Sequence, residues 1–204
     1  MSATTTPLSN VARGHLSTLD DTLDALRQQM ARLTRWGHLV AERLQEGNRV
    51  LTAGNGGSAA EAHQLAAELM GRYPQGRPPF SAIALTADVS SLTAIGDEYH
   101  HDYAEVFARQ VTAHARPRDI LVLLSANGRS RNLALAAEAG IRAGANVWAL
   151  TGPGPNPLAN VVEDAICLPG TAATVQEAHL VAVHILGAVL ENELSTSDSP
   201  RKAG

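Results

Sequence analysis

Two stretches of the chain concentrate side chains that could move protons. Glu61, His63, Gln64 and Glu68 lie on one helical pattern, and Gln176, Glu177, His179 and His184 lie on another near the end of the chain. A carboxylate and an imidazole within reach of each other are common partners in general acid–base catalysis. Gln64 and Glu68 are four apart and share a helix face, while His63 lies about 100° away round the helix. Gln176–His179 admits two readings, a functional cluster or a solvated first turn. His184 stands among Val183, Ile185 and Leu186 and is expected to face something buried, either a site or a satisfied core position.

Two turns could hold an anion. Leu51-Thr52-Ala53-Gly54-Asn55-Gly56-Gly57-Ser58 runs from a short apolar strand into three glycines, and a helical pattern starts at about Ser58. Glycine lets a backbone approach a ligand closely, and a helix N-terminus offers free N–H groups and a positive dipole end. The arrangement recurs at Ser125-Ala126-Asn127-Gly128-Arg129-Ser130, after the apolar run Ile120–Leu124. Together the two turns could clasp one phosphate. The glycines alone fit equally well a tight strand-to-helix turn with no ligand.

The elements that must position these groups alternate in type. Apolar residues at helical spacing from Leu16 to Gln45 predict one or two helices, with a break at Thr34–Gly37, packed on this domain or on another subunit. Strands are expected at Arg49–Ala53, Ser81–Thr86, Ile120–Leu124, Asn146–Thr151 and Ala165–Leu168. Helices are expected at Ser58–Arg72, near Asp88–Gly96, at Tyr103–His114, Asn132–Ala143 and Thr174–Leu194, with a short one at Leu158–Val161. This alternation predicts an α/β fold, a doubly wound parallel five-stranded sheet flanked by helices, with an N-terminal helical segment. In such sheets the ligand sits at the carboxyl ends of the strands, where both polar turns fall.

The 204 residues suffice for one sizeable core, expected over 16–194, with a flexible arm at 1–15 and a disordered tail at 195–204. A net charge of −4 with no basic run argues against a nucleic-acid binder. The single cysteine, Cys167, fits a reducing, cytoplasmic compartment. No signal peptide and no membrane span are expected.

GNGGSAAEAHQLAAELMGRY, ADVSSLTAIGDEYHHDYAEVFARQV, the SANGRSRN turn, ALTG and TVQEAHLVAVHILGAVLE occur in this order. In these segments, from about residue 16 to 194, the chain resembles the sugar-isomerase (SIS) domain, a flavodoxin-like sandwich, and more narrowly the phosphoheptose isomerases. The resemblance implies a homotetramer with active sites between subunits and a phosphorylated sugar as substrate. It also implies aldose–ketose isomerisation of sedoheptulose 7-phosphate through an enediol(ate). By position, Glu68 matches the base and His184 its acid/base partner. Asn55 and Ser58 match sugar or phosphate contacts, Ser125 and Ser130 phosphate-binding hydroxyls, and Arg72 a substrate-contacting arginine. Gly56, Gly57, Asn127, Glu98 and Gln176 complete the implied binding set. The resemblance further implies a Zn²⁺ ion held by Glu68, Gln176 and His184 with a histidine of the first helix.

The chain departs from the family pattern at several positions. The family commonly reads Asp-Ala-Gln-His where this chain reads Glu61-Ala62-His63-Gln64. Gln64 therefore stands at the usual histidine position with His63 beside it, and an amide is a poor zinc ligand. Asp97-Glu98 replaces Asn-Asp, and Ala126, Asn127 and Arg129 alter the usual Ser-Thr-Ser-Gly-Asn-Ser turn. Two other functions remain open: a non-catalytic tetramer that binds a phosphosugar or a protein, and phosphosugar lyase chemistry. A regulator has no need of Glu68 with His184.

Overall fold

The computed structural model describes residues 7–71, 78–98 and 103–197. Five parallel strands, β1 (Val50–Gly54), β2 (Ala82–Ala84), β3 (Ile120–Ser125), β4 (Asn146–Thr151) and β5 (Asp164–Cys167), form one sheet in the order β2-β1-β3-β4-β5. The central strands β1 and β3 are buried along their whole length. Their near-continuous apolar sequences suit a sheet covered on both faces. Register pairs Gly54 with Leu124 and Ser125 with Thr151, so β1, β3 and β4 end side by side.

The helices are α1 (Pro7–Gln28), α2 (Met30–Gln45), α3 (Gly57–Met70), α4 (Val89–Glu98), α5 (Val106–His114), α6 (Arg131–Arg142) and α7 (Ala172–Ser197). Alternate strand residues feed two cores, because successive side chains point to opposite faces. Val50, Ile120, Val122, Leu124, Trp148 and Leu150 pack with α2, α3 and α7. Leu51, Ala53, Leu121, Leu123, Val147 and Ala149 pack with α5 and α6, and α4 lies on that same side. Trp36 and Trp148 stack with centroids 4.8 Å apart and fasten α2 to the sheet.

The structure corrects several expectations. The N-terminal helix begins at Pro7, inside the segment expected to be a flexible arm, and His15 Nε2 lies 3.0 Å from Glu177 Oε1 on α7. The break falls at Gln29, where the Leu26 carbonyl accepts the Gln29 N–H, not at Thr34–Gly37. Gly37 is instead a packing residue: a Cβ there would lie 2.5 Å from Val189 Cγ1, so it lets α2 approach α7. The short helix expected at Leu158–Val161 is a run of turns. Tyr103–Glu105 is a 3-10 turn ahead of α5.

The last helix starts earlier and ends later than expected. The Thr171 and Thr174 side chains each accept the other's backbone N–H, at 3.3 and 3.0 Å, and this reciprocal cap sets the start at Ala172. By length and composition alone Ala172–Ser195 is long and apolar enough to cross a membrane, a test that a core helix also passes. Val175, Ala178, His179, Ala182 and Val183 are fully buried, so α7 serves as a core helix against α1, α2 and α3.

Candidate active site

The strand order turns back between β1 and β3, and the two polar turns stand side by side at that switch point. Each is shaped from within the chain. Gly56 adopts φ +56, which suits glycine, and Gly54 is needed because a Cβ there would lie 2.3 Å from the Ser58 carbonyl oxygen. In the second turn Ser125 is buried and its Oγ accepts the Gly128 N–H at 3.0 Å, while Asn127 Oδ1 accepts the Arg129 N–H at 3.0 Å. Ser130 sits at the N-cap of α6 without a side-chain cap bond.

The turns are tied together by a residue that the sequence reading passed over. Asn55 and Asn132 exchange two amide hydrogen bonds, each 2.9 Å, between the first turn and the first turn of α6. The only sequence clue was a pair of asparagines in two similar turns. Asn156 gives further support: its amide donates to Thr151 Oγ1 and to the Gly152 and Pro153 carbonyls, and its Oδ1 accepts the Ala159 N–H. Ser58 is 2% exposed, and its Oγ has no hydrogen-bond partner among the described residues.

The candidate proton-moving groups lie along the contact of α3 with α7. The helices are placed in parallel, with contacts in the same order on both. Gly57 meets Gln176 first: a Cβ on Gly57 would lie 2.7 Å from the Gln176 amide atoms. Glu61 Oε2 and His179 Nδ1 follow at 3.6 Å, and then Glu68 Oε1 and His184 Nε2 at 3.2 Å. Leu65, Ala66 and Leu69 turn into the core and fix the rotation of α3. Glu68 is thereby buried at the edge of the core, and Gln64 Nε2 donates to its Oε1 at 3.0 Å.

The two histidines of α7 exchange the environments that their neighbours suggested. His184 has a side chain 53% exposed, and His179 is fully buried. One residue turns a helix by about 100°, so the buried Val183 leaves His184 facing outward. The Glu61–His179 pair was named in the sequence but not assigned to the site, because sequence does not show which polar groups meet across two helices.

The other candidates are more scattered. Glu98 is exposed at the last position of α4, across the sheet from α3 and α7. Arg72 lies outside the described residues. His63 is exposed and lines a groove with Gln64, Ala67 and Thr86 that Glu68 and His184 do not line.

This arrangement does not fit a zinc ion. Among the described residues no group of three or more His, Cys, Asp or Glu side chains is placed to hold a metal. Zinc sites use three or four protein ligands. Here Glu68 and His184 meet, Gln176 stands against Gly57, and the Gln64 amide N–H faces the Glu68 carboxylate.

Known proteins with the same architecture identify the family. Residues 15–152 match the SIS domain model. The phosphoheptose isomerase of Streptomyces coelicolor is 51% identical over 191 residues, covering 93% of this chain and 82% of that protein. The solved phosphoheptose isomerase of Neisseria gonorrhoeae superposes with a TM-score of 0.82 at 31% identity, covering 92% of this chain and all of that one. A phosphoheptose isomerase from Francisella tularensis gives 0.85 at 29% identity, covering 92% and 99%. The chain belongs to the SIS domain family and, within it, to the phosphoheptose isomerases, a family of sugar-phosphate-isomerising enzymes.

Proposed function

We propose that this protein converts sedoheptulose 7-phosphate to D-glycero-D-manno-heptose 7-phosphate by proton transfer through an enediol. The observation that carries the reading is the 3.2 Å contact of Glu68 Oε1 with His184 Nε2 across α3 and α7. Glu68, as carboxylate, takes a proton from C1 while His184 gives one to the C2 carbonyl oxygen. The enediol that results returns its O1 proton to His184, and Glu68 delivers its proton to C2. The C1 carbonyl and C2 hydroxyl of the aldose are then in place, and both side chains are back in their starting states. No step is routed through a metal.

The phosphate is assigned to the paired turns. Asn55, Gly56, Gly57, Ser58, Ser125, Asn127 and Ser130 line or shape them, and the N-termini of α3 and α6 favour an anion there. The unpartnered, buried Ser58 Oγ supports a polar occupant. Gln176, which lies against Gly57, is assigned the contact with the sugar between phosphate and reacting carbons. Arg72 and Glu98 are assigned substrate contacts by family position.

A homotetramer supports this chemistry, because His184 is open to solvent in the single chain and acid–base sites work best with water excluded. The exposed Leu180 and Val181 beside it, and Val11 and Leu16 on α1, suit subunit contacts. A soluble cytoplasmic enzyme is the corresponding setting. NMR of purified protein with sedoheptulose 7-phosphate tests the function. The expected result is aldose formation. No turnover on this or any C6–C8 ketose phosphate, in folded protein, would favour a binding or regulatory role.

A further inference from the structure

We propose that Gln64 takes over the task of holding Glu68, so that this chain runs its proton transfer without a resident zinc ion. Gln64 and Glu68 are four apart on α3, and the Gln64 amide donates to Glu68 Oε1 at 3.0 Å. The same oxygen lies 3.2 Å from His184 Nε2. It is thus bracketed by an amide N–H and an imidazole nitrogen. An amide N–H has no lone pair to offer a metal. The one imidazole of α3, His63, lies on a groove that it shares with Gln64 and Thr86 and that neither Glu68 nor His184 lines. Gln176 stands at Gly57, two contacts away along α3 and α7. The residue types of a metal site are present, but His63 and Gln64 stand in the order that keeps them from converging.

The exchange has a chemical consequence. A divalent cation on a carboxylate draws off its charge and makes it a weaker base. An amide fixes the carboxylate while leaving its full negative charge. Gln64 is therefore a positioning residue that keeps Glu68 oriented as a base, and His184 is left to act on the carbonyl oxygen.

The test separates metal from activity. Wild-type protein and the double variant His63→Gln/Gln64→His are incubated with excess Zn²⁺, desalted and measured for zinc by mass spectrometry. The expected result is almost no zinc in the wild type and about one ion per subunit in the double variant. Stoichiometric zinc in the wild type overturns the proposal, and so does a double variant that holds none, since Gln64 is then not what excludes the metal. Positioning is read from pH profiles of kcat/KM. Gln64→Glu places a second carboxylate beside Glu68, so the acidic limb should move to higher pH. Gln64→Leu should lower kcat roughly 10-fold with KM kept, since a misplaced base costs rate rather than binding. An unmoved limb together with an unchanged kcat overturns the positioning role. The pH measurements rest on the isomerase reading. If the wild type shows no turnover, that reading fails and the zinc measurement alone decides this one.

Discussion

The two halves of the candidate site are built differently. The end that we assign to the phosphate is finished within one chain: Asn55 and Asn132 bond to each other, Ser125 and Asn127 accept the backbone N–H groups of their own turn, and Asn156 braces the strand end beside it. The proton-transfer end is not. Glu68 is buried, but its partner His184 is half open to solvent on the outer face of α7. A cradle for a constant group can be made from backbone and short local bonds. An acid–base pair must be carried by side chains from two helices and shielded from water, a shield that we propose a neighbouring subunit supplies. The halves meet where Gln176 lies against Gly57.

Substitutions should separate the halves by the kinetic constant they change. Glu68→Gln has the largest expected effect, a loss of kcat of roughly 10³–10⁴-fold with the fold intact, because the amide cannot take a proton. His184→Ala should cost about 10²-fold in kcat. Ser130→Ala should act on the other constant, raising KM about 10-fold with kcat nearly kept, if its hydroxyl binds a charged phosphate oxygen. Gly57→Ala tests the join: its Cβ must displace Gln176, and both constants should worsen by a few-fold. A kcat defect confined to the cradle variants, or a KM defect confined to Glu68→Gln, would reverse the assignment of the two halves.

The smallest effect lies away from both. Hydrogen bonds from the Ser91 side chain and N–H, and from the Ser90 N–H, hold the Asp88 carboxyl below its ordinary value of 3.8 and cap α4. A depressed carboxylate stabilises the folded state above its unfolded value, and that contribution fades as pH falls through the lower folded value. Protection of the amides in the first turn of α4, read as the exchange rate relative to the unfolded chain at the same pH, should therefore fall only in acid below about pH 4. An equal rate in Asp88→Ala at neutral pH would show that the cap does nothing.

Much of this was legible in the residues. Ile120–Leu124 read as a buried parallel strand, and the alternation of strands and helices gave the sheet with its two turns at the strand ends. What sequence hid was set by contacts between elements. Gly37 looked like a helix breaker, yet it is kept small by Val189 on a helix some 150 residues later. The neighbours of His184 and His179 point to the opposite burial, because only the rotation of α7 on the sheet decides which of them is buried. The start of α1 escaped notice because part of its support, the His15–Glu177 pair, joins opposite ends of the chain. Asn132 gained its role only from the approach of two turns 77 residues apart.

The most direct measurement is isomerisation in D₂O. Wild-type protein with sedoheptulose 7-phosphate should form the aldose and take up solvent deuterium at the carbons that exchange the carbonyl. Glu68→Gln should do neither, while still binding the phosphosugar. Glu68→Gln that forms the aldose, or takes up deuterium at either carbon, at the wild-type rate would contradict proton transfer by Glu68.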